Sequence, residues 1–229
     1  MSPFRSAWEA VADATGLGDG TSLLDLGCGD GAFCAFAADR DAIVHGVDAE
    51  PDAVAAALER VPGGDFRLAM MESLPWVDAS FDVVTSFNAL QYSLDPEVAL
   101  TEAARVVRTD GQIAVCKWGP PSQNEFFAFL TSIGAGGVGR GRLPVGDPVE
   151  DAIRSAPVEV LSTGDVSAPI EMVDDAALQE SLSRAGVAPD AVRIGPGISV
   201  IGAAAPYRRP DGGYRFENRL RYWLLGGFQ

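Results

Sequence analysis

The stretch Leu23-Leu24-Asp25-Leu26-Gly27-Cys28-Gly29-Asp30-Gly31 constrains this chain more than any other. Its leucines read as a buried strand, three glycines at alternate positions follow, and Ala32 opens an apolar-periodic helix through Phe33, Phe36 and Ala37. A strand, a turn poor in side chains and a helix start let a ligand approach the backbone and meet unpaired N–H groups. The spacing leaves two ligand classes open, because Gly27-x-Gly29-x-x-Ala32 also satisfies the relaxed dinucleotide fingerprint. Charge separates them: Asp25 and Asp30 stand in the loop with no basic residue, which disfavours a pyrophosphate and welcomes a cation. A purely structural turn between strand and helix is the alternative.

The 229 residues suffice for one large α/β domain, and 47% hydrophobic residues with a mean hydropathy of +0.11 supply a sizeable core. With 17 basic against 32 acidic residues the formal charge is −15, and no dense Lys/Arg cluster occurs. This argues against a sequence-independent grip on nucleic acid or an anionic membrane surface. Cys28, Cys34 and Cys116 form no C-x-x-C pair and are odd in number, the usage expected of reduced thiols in a cytoplasmic protein. No signal peptide pattern and no apolar run of about 18 residues is visible. One histidine and scattered acids offer no metal ligand set, so no metal is expected.

The remaining pattern is an alternation of strands and helices. Ala7, Ala10, Val11 and Ala14 predict a leading amphipathic helix that Gly16 ends. Ile43 to Val47 predict a second strand ending at Asp48, which lies 21 residues beyond Gly27. An acid there can accept hydrogen bonds from both ribose hydroxyls, or merely interact with the dipole of the next helix. Phe66–Ala69, Phe81–Phe87 and Gln112–Trp118 read as the third to fifth strands. Asp95-Pro96-Glu97 is a helix start, and Gly111 reads as that helix's end. The rhythm breaks from Gly119 to about Pro169, an expected irregular insertion that reads as a substrate lid or a surface excursion. Phe126, Phe127 and Phe129 supply apolar surface within it. Asp174 then caps a helix stopped by Gly186, and Val192–Tyr207 with Tyr214–Leu225 read as long strands of a hairpin turning at Arg209–Gly213.

The glycine stretch resembles motif I of the class I S-adenosylmethionine-dependent methyltransferases. So does Glu72-Ser-Leu74-Pro75-Trp76 ahead of Ser80-Phe81-Asp82, and so does the run Glu102 to Val115. The resemblance covers residues 8–118 in specific motifs and the last sixty residues only in topology, and points to the family's small-molecule branch in bacterial secondary metabolism. Two departures stand out. Met70 occupies a position where the family often has an adenine-binding Asp, and Thr109-Asp110-Gly111 replaces a usual Pro-Gly-Gly.

The resemblance implies a single domain, residues 1–229, with a Rossmann-like, seven-stranded, mostly parallel sheet. One strand is antiparallel, helices cover both faces, and the insertion of about 119–169 follows the fifth strand. It further implies S-adenosyl-L-methionine as cofactor, with Asp25, Gly27, Cys28 and Gly29 at the methionine moiety and Asp48 and Ala49 at the ribose. Met71 and Glu72 fall at the adenine and the backbone near Phe87 at the ammonium group. Glu72 either replaces the missing acid or is solvated. The family's oxygen methylators often place a histidine base near or beyond the end of the fourth strand, where this chain has Asn88-Ala89-Leu90-Gln91-Tyr92. The only histidine, His45, falls inside the second strand. Asn88, Gln91 and Tyr92 are therefore expected to orient a small-molecule acceptor, with proximity and desolvation in place of a base; a carboxylate such as Asp147 is the other option. Two rivals remain: a cyclase or cofactor-binding module that keeps the fold without the transfer, and a nicotinamide-dependent oxidoreductase, which the acidic loop disfavours.

Overall fold

Hydrophobic runs too short for helices and bounded by glycine or proline become strands, and the segments between them become amphipathic helices. The computed structural model describes residues 3–135, 147–184, 187 and 199–226. In chain order the elements are α1 (Arg5–Thr15), β1 (Ser22–Leu26), α2 (Ala32–Ala38), β2 (Ile43–Asp48), α3 (Pro51–Arg60), β3 (Asp65–Leu68) and β4 (Phe81–Phe87). Next come α4 (Pro96–Val106), β5 (Val107–Trp118), α5 (Glu125–Ser132), α6 (Pro148–Ser155), β6 (Glu159–Ser167) and β7 (Ile170–Met172). The remainder are α7 (Asp175–Arg184), α8 (Val200–Ala203), β8 (Tyr214–Phe216) and β9 (Arg219–Gly226).

The chain divides into two compact units. The larger comprises Phe4–Lys117, Gly146–Val166 and Arg221–Gln229; the smaller comprises Met1–Pro3, Trp118–Val145 and Ser167–Leu220. Seven strands form one sheet in the order β3-β2-β1-β4-β5-β9-β6. The pairs β2–β3, β1–β2, β1–β4 and β4–β5 are parallel, with Leu24 opposite both His45 and Val84. β9 runs against both neighbours. Gly119 N–H donates to Arg219 O while Ala114 clusters with Leu224, and Ala168 N–H donates to Asn218 O while Leu161 lies at Gly226. One sheet face buries Trp8, Phe33, Phe36, Val54 and Ala57 from α1–α3, and the other buries Leu100, Ala103, Val149 and Ile153 from α4 and α6. Helices on both faces explain why β1 is buried from Leu23 onward and has no alternating pattern.

Proline and aspartate set the helix starts. Asp95 accepts from the N–H groups of Glu97 and Val98 ahead of Pro96, and Asp147 does the same for Val149 and Glu150 ahead of Pro148. Gly16 closes α1 in a left-handed conformation, and Asp174 caps α7, as expected.

Three expectations are corrected. Gly111 does not end α4; the helix passes straight into β5 at Val107, and Gly111 lies inside that strand, where a Cβ would come within 2.7 Å of Asp82 O. The stretch 119–169 is not one irregular insertion, since it contains α5, α6 and β6, the last an integral strand of the sheet. The hairpin of two long strands is absent: residues 200–203 are helical, 205–207 form a 3-10 turn, and the second arm is split into β8 and β9. Ser199 starts this helix by accepting from Gly202 N–H, so local capping takes the backbone out of the expected strand. The expected glycine run 136–141, Pro144, Gly186 and residues 192–198 lie outside the described residues.

The smaller unit has its own core of Phe129, Ile133, Leu178, Tyr214 and Phe216, with β7 and β8 paired antiparallel. Phe126 and Phe129 pack on Phe216, whereas Phe127 is 38% exposed and meets Trp118 edge-on. Two buried asparagines tie this unit's distant segments together. Asn124 donates to the carbonyls of Gly119 (2.8 Å) and Pro120 (3.0 Å) and accepts from Arg219 N–H (3.1 Å). Asn218 accepts from Phe126 N–H and donates to Phe216 O. Replacing Asn124 by Ala strands those backbone groups, so stability should fall by about 2–3 kcal/mol. Denaturant unfolding measures this, and an unchanged midpoint refutes it.

Candidate functional site

The strand order reverses between β1 and β4, and in an open parallel sheet the crevice at the carboxyl ends of such strands is where ligands bind. Leu26, Asp48 and Phe87 close β1, β2 and β4 at this point, and the glycine loop springs from the first of them. Gly27 has φ +69°, and a Cβ there would fall 2.4 Å from Ala89 Cβ, so the turn after β1 presses against the turn after β4 only because residue 27 has no side chain. The N–H groups of Gly27 and Cys28 both donate to Val47 O, at 2.8 and 3.0 Å. Gly29, at φ +53°, faces open space, with no atom within 4 Å of a Cβ built on it.

Three carboxylates surround this loop in different states. Asp48 accepts from Gly29 N–H through Oδ2 (2.8 Å) and from Glu50 N–H through Oδ1 (3.0 Å), so it shapes the loop and is itself held in place. Asp25 is buried on β1 and accepts from Thr85 Oγ1 at 2.7 Å. Burial pushes its carboxyl up to about 7, the Thr85 bond opposes the shift, and the nearby Asp48 charge adds to it. Asp30 is compensated in a way that sequence reasoning missed: Arg60 of α3 donates to its carboxylate and to its backbone carbonyl at 2.8 Å. With Asp30 paired to Arg60 and Asp25 raised toward neutrality by burial, the loop's remaining negative charge rests chiefly with Asp48.

The other expected residues divide. Met71 brings its methyl within 3.6 Å of the Cβ position on Gly27, and Phe87 packs on Phe33 with ring centroids 4.3 Å apart. Cys28 is buried and burial raises its thiol, chiefly, with Asp25 and Asp48 adding to the effect. Ala49 is exposed beside Asp48. Glu72 is neither free nor solvated. Its Oε1 accepts from Leu94 and Asp95 N–H, tying the loop before β4 to the start of α4, and its Oε2 is buried without a partner.

Asn88 adopts φ +53° and donates its N–H to Cys116 O at 2.6 Å. Its carbonyl and Oδ1 accept from Gln91 Nε2 at 3.1 and 2.7 Å, which leaves Gln91 Oε1 as a buried acceptor with no partner among the described residues. Tyr92 is 46% exposed on the 3-10 turn Leu90–Tyr92. His45 sits away from this edge, with Nδ1 3.1 Å from Leu23 O and its ring between Trp76 and Phe81. Asp147 caps α6 and pairs with Lys117.

A second anchor also escaped sequence reading. Arg105 donates to Glu102, Asp78 and the carbonyls of Leu74 and Trp76, while Glu102 accepts from Leu74 N–H. The Arg105 hydrogen bonds hold the Glu102 carboxyl below its ordinary range and fix residues 74–78 on α4. The Glu-x-x-Arg spacing was the available signal.

Among the described residues no group of three or more His, Cys, Asp and Glu can hold a metal, and no helix is long and apolar enough to cross a membrane. A cavity of about 590 Å³ lies elsewhere, between α6, β6 and β9.

Residues 24–115 match the family model of a methyltransferase domain. The chain is 35% identical over 103 residues to 27-O-demethylrifamycin SV methyltransferase of Amycolatopsis mediterranei, covering 42% of this chain and 38% of that protein. Among solved structures, a putative methyltransferase from Bacillus halodurans superposes with a TM-score of 0.68 at 15% identity, over 98% of this chain and 100% of that one. The [4+2]-cyclase SpnF superposes with 0.58 at 22% identity, over 94% and 80%. These structures share the fold. The matched part spans between a third and about half the length of the curated relatives.

A carboxyl held protonated by burial takes up a proton on folding, so its contribution to stability falls from its unfolded value of about 3.9 up to the folded one and is level above it. The folded value for Asp25 is about 7, and Asp25→Asn abolishes the dependence. Melting of the unliganded proteins should show the variant gaining on the wild type between about pH 4 and about pH 7. Parallel curves refute the assignment.

Proposed function

We propose that this chain is a class I S-adenosylmethionine-dependent methyltransferase that transfers a methyl group from S-adenosyl-L-methionine to a small-molecule acceptor, a reading supported by the methyltransferase-domain match over residues 24–115. The observation that carries this reading is the glycine loop: open in front of Gly29, bounded by the Asp25 and Asp48 carboxylates, and relieved of Asp30 by Arg60. Such a cradle fits a cation and rejects a pyrophosphate. The demethylrifamycin relative supports an acceptor from secondary metabolism.

When bound, the cofactor supplies an electrophilic methyl on a positively charged sulfur. Asp25, Cys28 and the backbone of Gly27 and Gly29 hold the amino-acid end, Asp48 and Ala49 the ribose, and Met71 the purine. Glu72 contributes through its buried Oε2. The backbone at Phe87 takes the ammonium group. Asn88 locks the Gln91 amide so that Oε1 points out as an acceptor, which suits an acceptor molecule bearing O–H or N–H; Tyr92 completes the orientation. His45 takes no proton in this scheme, consistent with its place between Leu23 O, Trp76 and Phe81. Asp147 takes none either, being committed to Lys117 and the α6 cap. Alignment and water exclusion then carry the rate, an effect that reaches about 7–11 kcal/mol in favourable geometry. Selection of the acceptor is assigned to the 119–169 segment.

Calorimetry with S-adenosylmethionine or S-adenosylhomocysteine should show one site, weakened by about 1.5–3 kcal/mol in Asp48→Ala through lost charged hydrogen bonds. Binding of NADH with no response to either sulfur ligand overturns the reading. Turnover should fall by no more than about 10²-fold in Gln91→Ala, survive His45→Gln in a folded protein, and survive a chelator. Near-complete loss in His45→Gln refutes the base-free scheme, and conversion of substrate with S-adenosylhomocysteine bound assigns a cyclase instead. Phe127→Ala should alter acceptor affinity and leave cofactor affinity unchanged; the reverse removes the segment from selection.

A further inference from the structure

The turn that carries Gln91 and Tyr92 is gripped at both ends by residues of the candidate cofactor site. At its start Ala89 rests against Gly27, whose Cβ position falls 2.4 Å from Ala89 Cβ. At its finish Leu94 and Asp95 donate their N–H groups to Glu72 Oε1, at 2.5 and 3.2 Å. Between these two points the turn bonds to itself, with Tyr92 N–H on Ala89 O and Ser93 N–H on Leu90 O.

Glu72 is the adjustable end of this grip. Its segment is pinned on both flanks, by Ala69 N–H on Asp48 O (3.1 Å) and by Leu74 N–H on Glu102 Oε2 (2.9 Å). Its carboxylate, however, is half used: Oε2 is buried and has no hydrogen-bond partner among the described residues. A buried acceptor left unpaired is costly, so the site is complete only when a donor reaches it. The flanking Met70 and Met71 are unbranched and flexible, Met70 is exposed, and Met71 lies at Gly27, so a planar ring can displace them to reach Oε2.

Purines differ in what they offer there: adenine presents a 6-amino donor, hypoxanthine a 6-carbonyl acceptor. We propose that Glu72 couples the two halves of the site. A purine 6-amino group donating to Oε2 fixes the carboxylate, which through Oε1 steadies the Leu94–Asp95 end of the turn that orients the acceptor. Glu72 is thus a positioning residue for the acceptor side as well as a selector of the nucleobase. The inference rests on the methyl-transfer reading for the identity of the nucleoside.

The same geometry predicts a swap in Glu72→Gln. The N–H groups of Leu94 and Asp95 oblige the amide oxygen to take the Oε1 place, because the opposite orientation sets donor against donor. The amide NH2 then stands in the Oε2 place, where it opposes a 6-amino group and donates to a 6-carbonyl.

Calorimetry with S-adenosylhomocysteine and with S-inosylhomocysteine, on wild type and Glu72→Gln, tests this together with hydrogen exchange of the Leu94 and Asp95 amides in each saturated complex. The wild type should prefer the adenosyl ligand, and the ratio of its two dissociation constants should shrink about tenfold or more in the variant. Other purine contacts are common to both proteins and cancel in this comparison, and a merely structural Glu72 leaves the ratio in place. In the wild type the two amides should exchange more slowly with the adenosyl than with the inosyl ligand bound, a measurement that decides the matter alone if the variant does not fold. An unchanged ratio, or equal protection in the two wild-type complexes, overturns the proposal and leaves the methyl-transfer reading standing. A wild type that binds neither sulfur ligand overturns both.

Discussion

The contact between Gly27 and Ala89 is the constraint on which the candidate site depends. β1 and β4 are neighbours, and the turns leaving their carboxyl ends must diverge to opposite faces of the sheet while remaining in touch. At residue 27 the backbone is left-handed and a methyl group would overlap Ala89, so glycine is demanded by conformation and by space together. With that contact in place, Val47 O collects the N–H groups of Gly27 and Cys28, Asp48 collects that of Gly29, and three strand ends share one network.

The electrostatics of the loop follow from this geometry. A backbone folded so tightly offers few side-chain positions, and those available are carboxylates. Arg60 neutralises the exposed member, Thr85 donates to the buried one, and Asp48 is satisfied by two backbone amides. The fold thus tolerates negative charge where a cation is to be received, at the cost of a carboxyl on β1 whose ionised form is disfavoured by burial.

The half of the chain that was legible in the sequence is the half governed by local rules. β4 has the expected bounds, Asp95 and Asp174 cap the expected helices, and Gly16 closes α1, because strand runs, caps and left-handed glycines are short-range signals. Arg60 on Asp30 and Glu72 on the start of α4 were not legible, since each joins residues that only the tertiary fold makes adjacent. β6 was hidden for a different reason. An edge strand with no buried residue lacks the apolar alternation that marks a half-buried one, and its serine, threonine and glycine read as loop. The strand expected over 192–207 is replaced, over the described residues 200–203, by a short helix that Ser199 caps, a side-chain bond that apolar alternation does not register.

The place of β9 in the sheet has a consequence for biosynthesis. β9 follows every other strand in the chain, yet it stands between β5 and β6. As the polypeptide leaves the ribosome, β1 to β5 can zip together in order through short crossovers, while β6 emerges with no neighbour to join. It waits until some fifty further residues have been made and β9 arrives to bridge it to β5. The same arrival brings Asn218 and Arg219 to the ties around Asn124, so the smaller unit also closes late. Long-range pairings of this kind slow folding and leave intermediates with unpaired edges. The nascent chain therefore passes through a stage with a finished ligand loop and an unfinished sheet.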